Sequence, residues 1–205
     1  MFGRQKIVVA IHSYYIIYKP YGMLSQFSIE SDAPTLAQLH DFPKDVYPVG
    51  RLDADTEGLL ILTNDTKLNY RLLSPTYAHK RTYYVQTEGV FSTEAIQNLQ
   101  KGTTISVKGK VHHTQPCHIS IIAAEPALPP RNPPIRYRAN IPTTWVQIIL
   151  TEGKNHQVRK MTASQGFPTL RLVRVAIENV LLNTMQPGDV RQIAKDELYN
   201  KLNIK

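Results

Sequence analysis

The segment Gly50–Asp65, GRLDADTEGLLILTND, sets a cation and an acid, Arg51 and Asp53, two residues apart, just before an apolar run that needs neither for folding. In an extended segment alternate side chains share a face, so Arg51 and Asp53 project from the same side. Leu59, Leu60, Ile61 and Leu62 form a continuous apolar stretch, the pattern of a strand buried on both faces. A charged loop anchored on such a strand holds a carboxylate still enough to react. Two other readings stand beside this one. Asp53, Asp55 and Glu57 could supply the paired carboxylates of a glycoside hydrolase, and Arg51 could form an ordinary salt bridge with Asp55 or Glu57. Metal chemistry is not expected: the chain has no CxxC, no HExxH and no phosphate-binding Gly loop. His112, His113 and His118 are close in sequence, but strand alternation separates them and no acid or thiol accompanies them.

Composition points to the partner. Among 205 residues, 24 Lys and Arg face 16 Asp and Glu, for a net charge of +8, and the pI is near 9.5, so a polyanion is the natural ligand. The excess is local. From Arg131 to Arg174 there are eight cations (Arg131, Arg136, Arg138, Lys154, Arg159, Lys160, Arg171 and Arg174) against one acid, Glu152. With 42% hydrophobic and 20% charged residues, the composition is that of a folded protein. The length suits a single domain over residues 1–205, with room for two lobes. A lone cysteine, Cys117, excludes an internal disulfide and suits a reducing cytoplasm. No apolar run approaches the roughly 18 residues needed to span a bilayer. The opening MFGRQKIVVAIHS has an apolar core only from Ile7 to Ile11 and no small-residue cleavage site after it, so no signal peptide and no membrane are expected.

The elements that must hold the charged loop follow from periodicity and punctuation. Ser13–Tyr18 reads as a strand stopped at Lys19-Pro20, and Thr35–His40 as a helical turn. Asn64 or Asp65 caps a short helix with Leu68, Leu72 and Leu73 on one face, ending at Ser74-Pro75. Arg81–Glu88 is a strand with Tyr83, Val85 and Thr87 on one face and Thr82, Tyr84 and Gln86 on the other. Ser92 caps a helix with Ala95, Ile96 and Leu99 inward. Thr103–Val107 and Val111–Ile122 pair as a hairpin around Lys108-Gly109-Lys110, and Thr144–Thr151 is another strand. In Pro126–Pro142, six of seventeen residues are proline. This stretch is expected to run outside the sheet as a semi-rigid arm, whose Arg131, Arg136, Tyr137 and Arg138 suit phosphates and unstacked bases. Asn155 caps a helix running to about Gln165 and stopped by Gly166, and Ala194–Leu202 is a last helix at the edge. Strands and short helices alternate without a βαβ rhythm, which predicts an α+β fold with a mixed, largely antiparallel sheet and flanking helices.

Four segments in order resemble one enzyme family: YKPYGMLSQF (Tyr18–Phe27), the Gly50–Asp65 segment, RLLSPTYAHKRTYYV (Arg71–Val85) and TEGKNHQVRKMTASQGFPTLRLVR (Thr151–Arg174). The chain looks like a pseudouridine synthase of the RsuA-type branch that modifies ribosomal RNA, and within it the proline-rich stretch and the TLRLVR ending resemble the RluE subgroup. The resemblance implies a bent central sheet crossed by an active cleft, no cofactor and no metal. It further implies large-subunit ribosomal RNA as partner and a monomer without the S4-type RNA-binding domain that many relatives carry in front. It assigns Asp53 as the catalytic carboxylate, Arg159 of HQVR as its ion-pair partner, and Tyr83 as the ring that stacks on the extracted uracil. Arg51 would hold the flipped nucleotide, His156 and Gln157 would contact substrate or order the helix start, and Arg131, Arg136 and Arg138 would grip RNA. Four positions depart from the family pattern: Tyr18 for Asn, Thr66 for Gly, Arg81 for Lys and Glu178 for Gly. The rival to an active synthase is an RNA-binding assembly factor whose isomerase activity is dispensable.

Overall fold

A computed structural model describes residues 12–136, 138 and 140–204. The expectations for the opening segment and for Tyr137 of the arm lie outside these residues. The chain runs β1 (Tyr14–Lys19), β2 (Tyr47–Pro48), β3 (Glu57–Thr63), α1 (Thr66–Leu73), β4 (Arg81–Glu88), α2 (Thr93–Lys101), β5 (Thr104–Val107), β6 (Lys110–His113), β7 (His118–Ile121), β8 (Thr143–Leu150), α3 (Gln157–Ser164), β9 (Thr169–Ile177), β10 (Val180–Leu181), β11 (Val190–Gln192) and α4 (Lys195–Lys201). The main sheet has the order β11-β1-β3-β9-β4-β8-β7, with β10 on β9 and β2 on β3. Every pairing is antiparallel except β3 with β9. The fold is therefore α+β with a mixed, largely antiparallel sheet and flanking helices, as the sequence predicts. Among the described residues no helix is long and apolar enough to cross a membrane.

Local rules explain most elements. All seven residues of β3 are buried, because its two faces pack against different apolar clusters: Leu59 and Ile61 join Tyr14, Tyr18 and Leu198, while Leu60 and Leu62 join Tyr15, Ile17 and Leu36. Asp65 caps α1, accepting from the Lys67 and Leu68 amides at 3.0 and 3.1 Å. Ser92 caps α2 through the Ala95 amide. Along β4, Tyr83, Val85 and Thr87 are buried, and the intervening residues are half-exposed. The β5–β6 hairpin turns on Lys108 and Gly109, both at positive φ (50° and 77°), the backbone that a two-residue hairpin loop requires.

Three expectations need correction. Leu73 lies outside the core, 46% exposed, because α1 ends there and only Leu68 and Leu72 remain one turn apart on the inner face. The stretch Val111–Ile122 is not one strand: β6 pairs with β5, the chain breaks at Thr114–Cys117, and β7 joins β8 in the main sheet. Pro116 supplies no amide donor within that break. At α3 the N-cap is His156, in left-handed backbone (φ 50°) with no side-chain capping bond. Asn155 does not cap; its carbonyl and side-chain oxygens accept from Lys160.

The family departures fit this frame. Tyr18 is fully buried in the core. Arg81 spreads its guanidinium over the carbonyls of Leu72, His79 and Thr151. Glu178 occupies a positive-φ position (48°) that suits glycine, and its carboxylate offsets the strain by accepting from the Lys80 amide at 2.7 Å.

The parallel contact between β3 and β9 is short, with register pairs Glu57↔Val173 and Gly58↔Arg174. Gly58 has φ +108°, and a Cβ there would lie 2.3 Å from the Arg174 carbonyl oxygen and 2.8 Å from its nitrogen. Gly58→Ala is therefore expected to cost on the order of 3 kcal/mol of folding stability, from backbone strain plus overpacking. The denaturant midpoint should fall with little change in slope; an unchanged midpoint would show that the seam can yield.

Candidate active site

Asp53 sits in a turn closed by the Thr56 amide on the Asp53 carbonyl at 3.0 Å, directly before the buried start of β3. The peptides around it are fixed from several directions. Ser25 Oγ accepts from the Leu52 amide at 3.1 Å and donates to the Leu52 carbonyl at 2.8 Å. The Ala54 carbonyl accepts from the Gly22 amide at 2.8 Å and from Lys19 Nζ at 3.2 Å. The Asp55 carbonyl accepts from Arg159 Nη2 at 2.7 Å. Arg51 and Asp53 both lie to the solvent side of buried Leu52, as alternation requires. Among the described residues Arg51 forms no salt bridge, since Asp55 and Glu57 are engaged by Arg159 and Arg171.

Lys19 escaped the sequence reading. It ends β1 fully buried, and its ammonium donates to the Pro20, Met23 and Ala54 carbonyls at 2.9, 2.7 and 3.2 Å. Burial pushes its pKa down to about 8 against the attraction of Asp55, Glu57 and Asp53. The available signal was a lone cation in the otherwise apolar strand YYIIYK, stopped by a proline.

The ion pairing of the site differs from the expected scheme. Arg159 Nε lies 3.0 Å from Asp55 Oδ2, a charge contact without hydrogen-bond alignment, and Arg159 Nη1 reaches the Thr169 carbonyl at 3.3 Å. Its partner is thus Asp55, not Asp53. The side chain facing Asp53 is His156, whose Nδ1 is 3.4 Å from Asp53 Oδ2. The cause lies in the start of α3. The left-handed backbone at His156 turns its ring onto Asp53, and Arg159, three residues on and on the same helix face, then lands on the turn after Asp53. Asp53, Asp55 and His156 hold ligand-type atoms within 4.8 Å of one another, the one such group of metal-ligating residues among those described. His112, which the sequence leaves without a neighbouring acid, contacts Glu152 at 3.1 Å across the fold.

The remaining candidates divide by what they touch. Gln157 is buried, its oxygen accepts from the Lys154 amide and its nitrogen donates to Glu152. Its nitrogen also lies 3.7 Å from Met161 Sδ, and together these bonds order the helix start. Tyr83 lies on β4 between Ile148 of β8 and Arg174 of β9, at a register shift in the β4–β9 ladder, and packs with Val158 and Met161 of α3. Tyr84 points to the opposite face.

The arm lies over the Asp53 turn. Arg131 stacks on Tyr21, its Cζ 4.3 Å from the ring centroid, and donates to the Pro133, Pro134 and Leu170 carbonyls. Arg138 pairs with Glu88 at 3.1 Å. Both therefore hold the arm to the body, while Arg136 makes no contact of this kind among the described residues. Between arm and loop is a cavity of about 310 Å³, lined by Tyr21, Asp55, Arg136, Arg138, Arg159 and Thr169 among others. Four arginines border it, counting Arg131, against the single acid Asp55, a strongly positive recess beside a partly exposed carboxylate. Paired-carboxylate hydrolysis fits poorly, because Asp55 and Glu57 are both tied to arginine and only Asp53 faces solvent without one.

Comparison with known proteins agrees with this geometry. The family model described as RNA pseudouridylate synthase matches residues 13–164. A relative from Xanthomonas axonopodis pv. citri, called ribosomal large subunit pseudouridine synthase E, is 46% identical over 174 residues, covering 84% of this chain and 89% of its own. A relative of the same name from Vibrio parahaemolyticus is 46% identical, covering 87% of this chain and 72% of its own. A crystal structure of a pseudouridylate synthase superposes with a TM-score of 0.75 at 26% identity, over 95% of this chain and 75% of that one. With a carboxylate turn, a flanking basic recess and a family match over most of its length, the chain belongs to the RNA pseudouridylate synthases, which are isomerases.

Proposed function

We propose that this chain converts a specific uridine of large-subunit ribosomal RNA to pseudouridine in the cytoplasm, with Asp53 as the reactive carboxylate. The supporting observation is the Asp53 turn: its neighbouring peptides are pinned by Ser25, Gly22, Lys19 and Arg159, while its side chain remains 34% exposed beside a basic recess. Such fixing removes reorganisation from the reactive step. The names of the relatives supply the substrate class, and the net charge of +8 suits it.

The reaction is an isomerisation. The N1–C1′ bond of uridine breaks, a C5–C1′ bond forms, and the C5 proton is lost as N1 gains one. No electrons or atoms enter, so no redox cofactor is required. Asp53 attacks either C1′ of the ribose or C6 of the base, or assists elimination at C1′; each route needs it ionised. His156 Nδ1, 3.4 Å from Asp53 Oδ2, is within reach to orient the carboxylate. Tyr83 is the aromatic platform for the extracted base, and Arg51, exposed at the rim, occupies the space the nucleotide leaves or holds its phosphate. Arg159 acts through Asp55, fixing the turn, and lines the recess.

Asp53→Asn is expected to abolish pseudouridine formation with folding and RNA affinity nearly unchanged, and wild-type activity should survive treatment with a chelator. Turnover at a tenth of wild type in the variant would remove the nucleophile role. Metal-dependent activity would instead assign the Asp53, Asp55 and His156 group to an ion.

Arg159→Ala should lower the single-turnover rate by at least tenfold, and Arg159→Lys should recover only part of it, because a point charge cannot span both the Asp55 carboxylate and its carbonyl. A full-rate Lys variant would show that charge alone suffices.

For the arm, Arg136→Ala should reduce the slope of log affinity against log salt by roughly 0.7 to 0.9, the value of one phosphate contact. Arg138→Ala should change it less, because Glu88 already neutralises that cation. Equal slopes for wild type and Arg136→Ala would exclude Arg136 from the RNA interface.

A further inference from the structure

A second recess, larger than the one beside Asp53, opens on the face formed by α1 and α4. Its volume is about 700 Å³, and its lining includes Lys67, Tyr70, Arg71, Tyr77, Lys195 and Tyr199, with no acid among the lining residues. Tyr70 and Tyr77 are 66% and 45% exposed, large apolar rings left in water. They meet edge to face at 6.4 Å between centroids. Cations interleave with the rings: Arg71 lies 5.7 Å over Tyr77, and Lys195 lies 5.2 Å over Tyr199. The nearest acid beneath the floor is Asp65, which is buried and accepts from the hydroxyls of Tyr14 and Tyr199 at 2.9 and 2.6 Å and from two α1 amides. Its charge is satisfied inside, and those bonds fix the Tyr199 ring as a wall. Asp196 and Glu197 belong to the first turn of α4 but do not line the recess.

We propose that this recess is a second RNA site, which takes an unstacked segment of the same ribosomal RNA whose target uridine enters the Asp53 cleft; the inference rests on the function proposed above. Aromatic faces alternating with ammonium and guanidinium groups accept any base by stacking and its phosphate by charge. The absence of a lining acid favours a polyanion over a protein partner carrying mixed charge. β3 begins at Glu57, beside the Asp53 turn, and ends at Thr63, just before α1. At about 3.3 Å per residue the two sites are separated by roughly 20 Å, so one RNA reaches both only if it extends well beyond its target loop.

Length dependence gives the test. Binding and single-turnover rate would be measured on two probes, a large-subunit ribosomal RNA transcript and a short hairpin cut from it around the uridine that the wild-type protein modifies. Two double variants at the recess, Tyr70→Ala with Tyr77→Ala and Lys67→Ala with Lys195→Ala, leave the Asp65 network intact. On the transcript, the tyrosine variant should weaken Kd by about tenfold or more, and the lysine variant should flatten the salt slope by roughly 1.4 to 1.8. On the hairpin both variants should bind and react as wild type does, and the saturating rate on either probe should be unchanged. An unchanged Kd on the transcript, or equal weakening on both probes, would overturn the proposal. So would a loss that appears only when ribosomal proteins are present, which would assign the surface to a protein. If the wild-type protein makes no pseudouridine, the same binding comparison runs on short hairpins tiled along the transcript, and a loss confined to the full transcript would sink the catalytic reading and leave this one standing.

Discussion

The ion pair between Glu57 and Arg171 holds together the two antiparallel halves of the sheet where they meet along the short β3–β9 contact. Arg171 donates through Nε and Nη2 to the two Glu57 oxygens, each at 2.8 Å, and through Nη2 also to the Pro129 carbonyl at 2.8 Å. Both side chains are buried. Burial works against the Arg171 charge, but the bonds and the charge of Glu57 outweigh it and raise its pKa. A buried pair of this kind adds little net stability over an apolar substitute, yet removing one partner leaves an uncompensated charge costing about 3–5 kcal/mol. Its effect is to fix register. With Glu57 locked opposite Val173, Gly58 must sit beneath the Arg174 backbone, and Arg174 Nε donates to the Leu59 carbonyl at 2.8 Å.

That register places everything else in the site. Asp53 lies four residues before Glu57, so its turn cannot drift once the pair is made. The same arginine anchors the start of the proline-rich arm through Pro129, and Arg131 continues the attachment on Tyr21 and Leu170. A segment poor in backbone donors thus lies firmly over the cleft through side-chain bonds to its own carbonyls. Arginine suits the task because one planar fork reaches two or three acceptors at once. Two of the three arm cations thereby serve attachment, and Arg136 lines the recess beside the Asp53 turn.

Around the carboxylate the charges are graded. Asp55 and Glu57 are matched by Arg159 and Arg171, Lys19 supplies a buried positive charge behind the turn, and Asp53 itself meets a histidine at the rim. Asp53 is 34% exposed against 40% for Asp55, and of the two it is the one without an arginine partner. Under the proposed function, an acid not tied up by an arginine is the one free to attack the nucleotide.

The sequence by itself determined most of the elements. Burial on both faces of β3, alternation along β4, the caps at Asp65 and Ser92 and the Lys108-Gly109 turn follow from residue types within a few positions of one another, where sterics and local hydrogen bonds decide. The motif order added the family and named Asp53. What only the tertiary structure decided is partner choice. Asp53, Asp55 and Glu57 are equally acidic in sequence, and whether Arg159 meets the first or second depends on where α3 lands against a turn about a hundred residues earlier. His156, not Asn155, starts that helix because its left-handed backbone is set by packing, and Gln157 turns inward because Glu152 and Lys154 lie within its reach. Lys19 looked like the end of a strand and proved to be a buried clamp on the Ala54 carbonyl. Long-range charge pairing depends on distances of a few ångströms, and the linear pattern of residue types does not encode those distances.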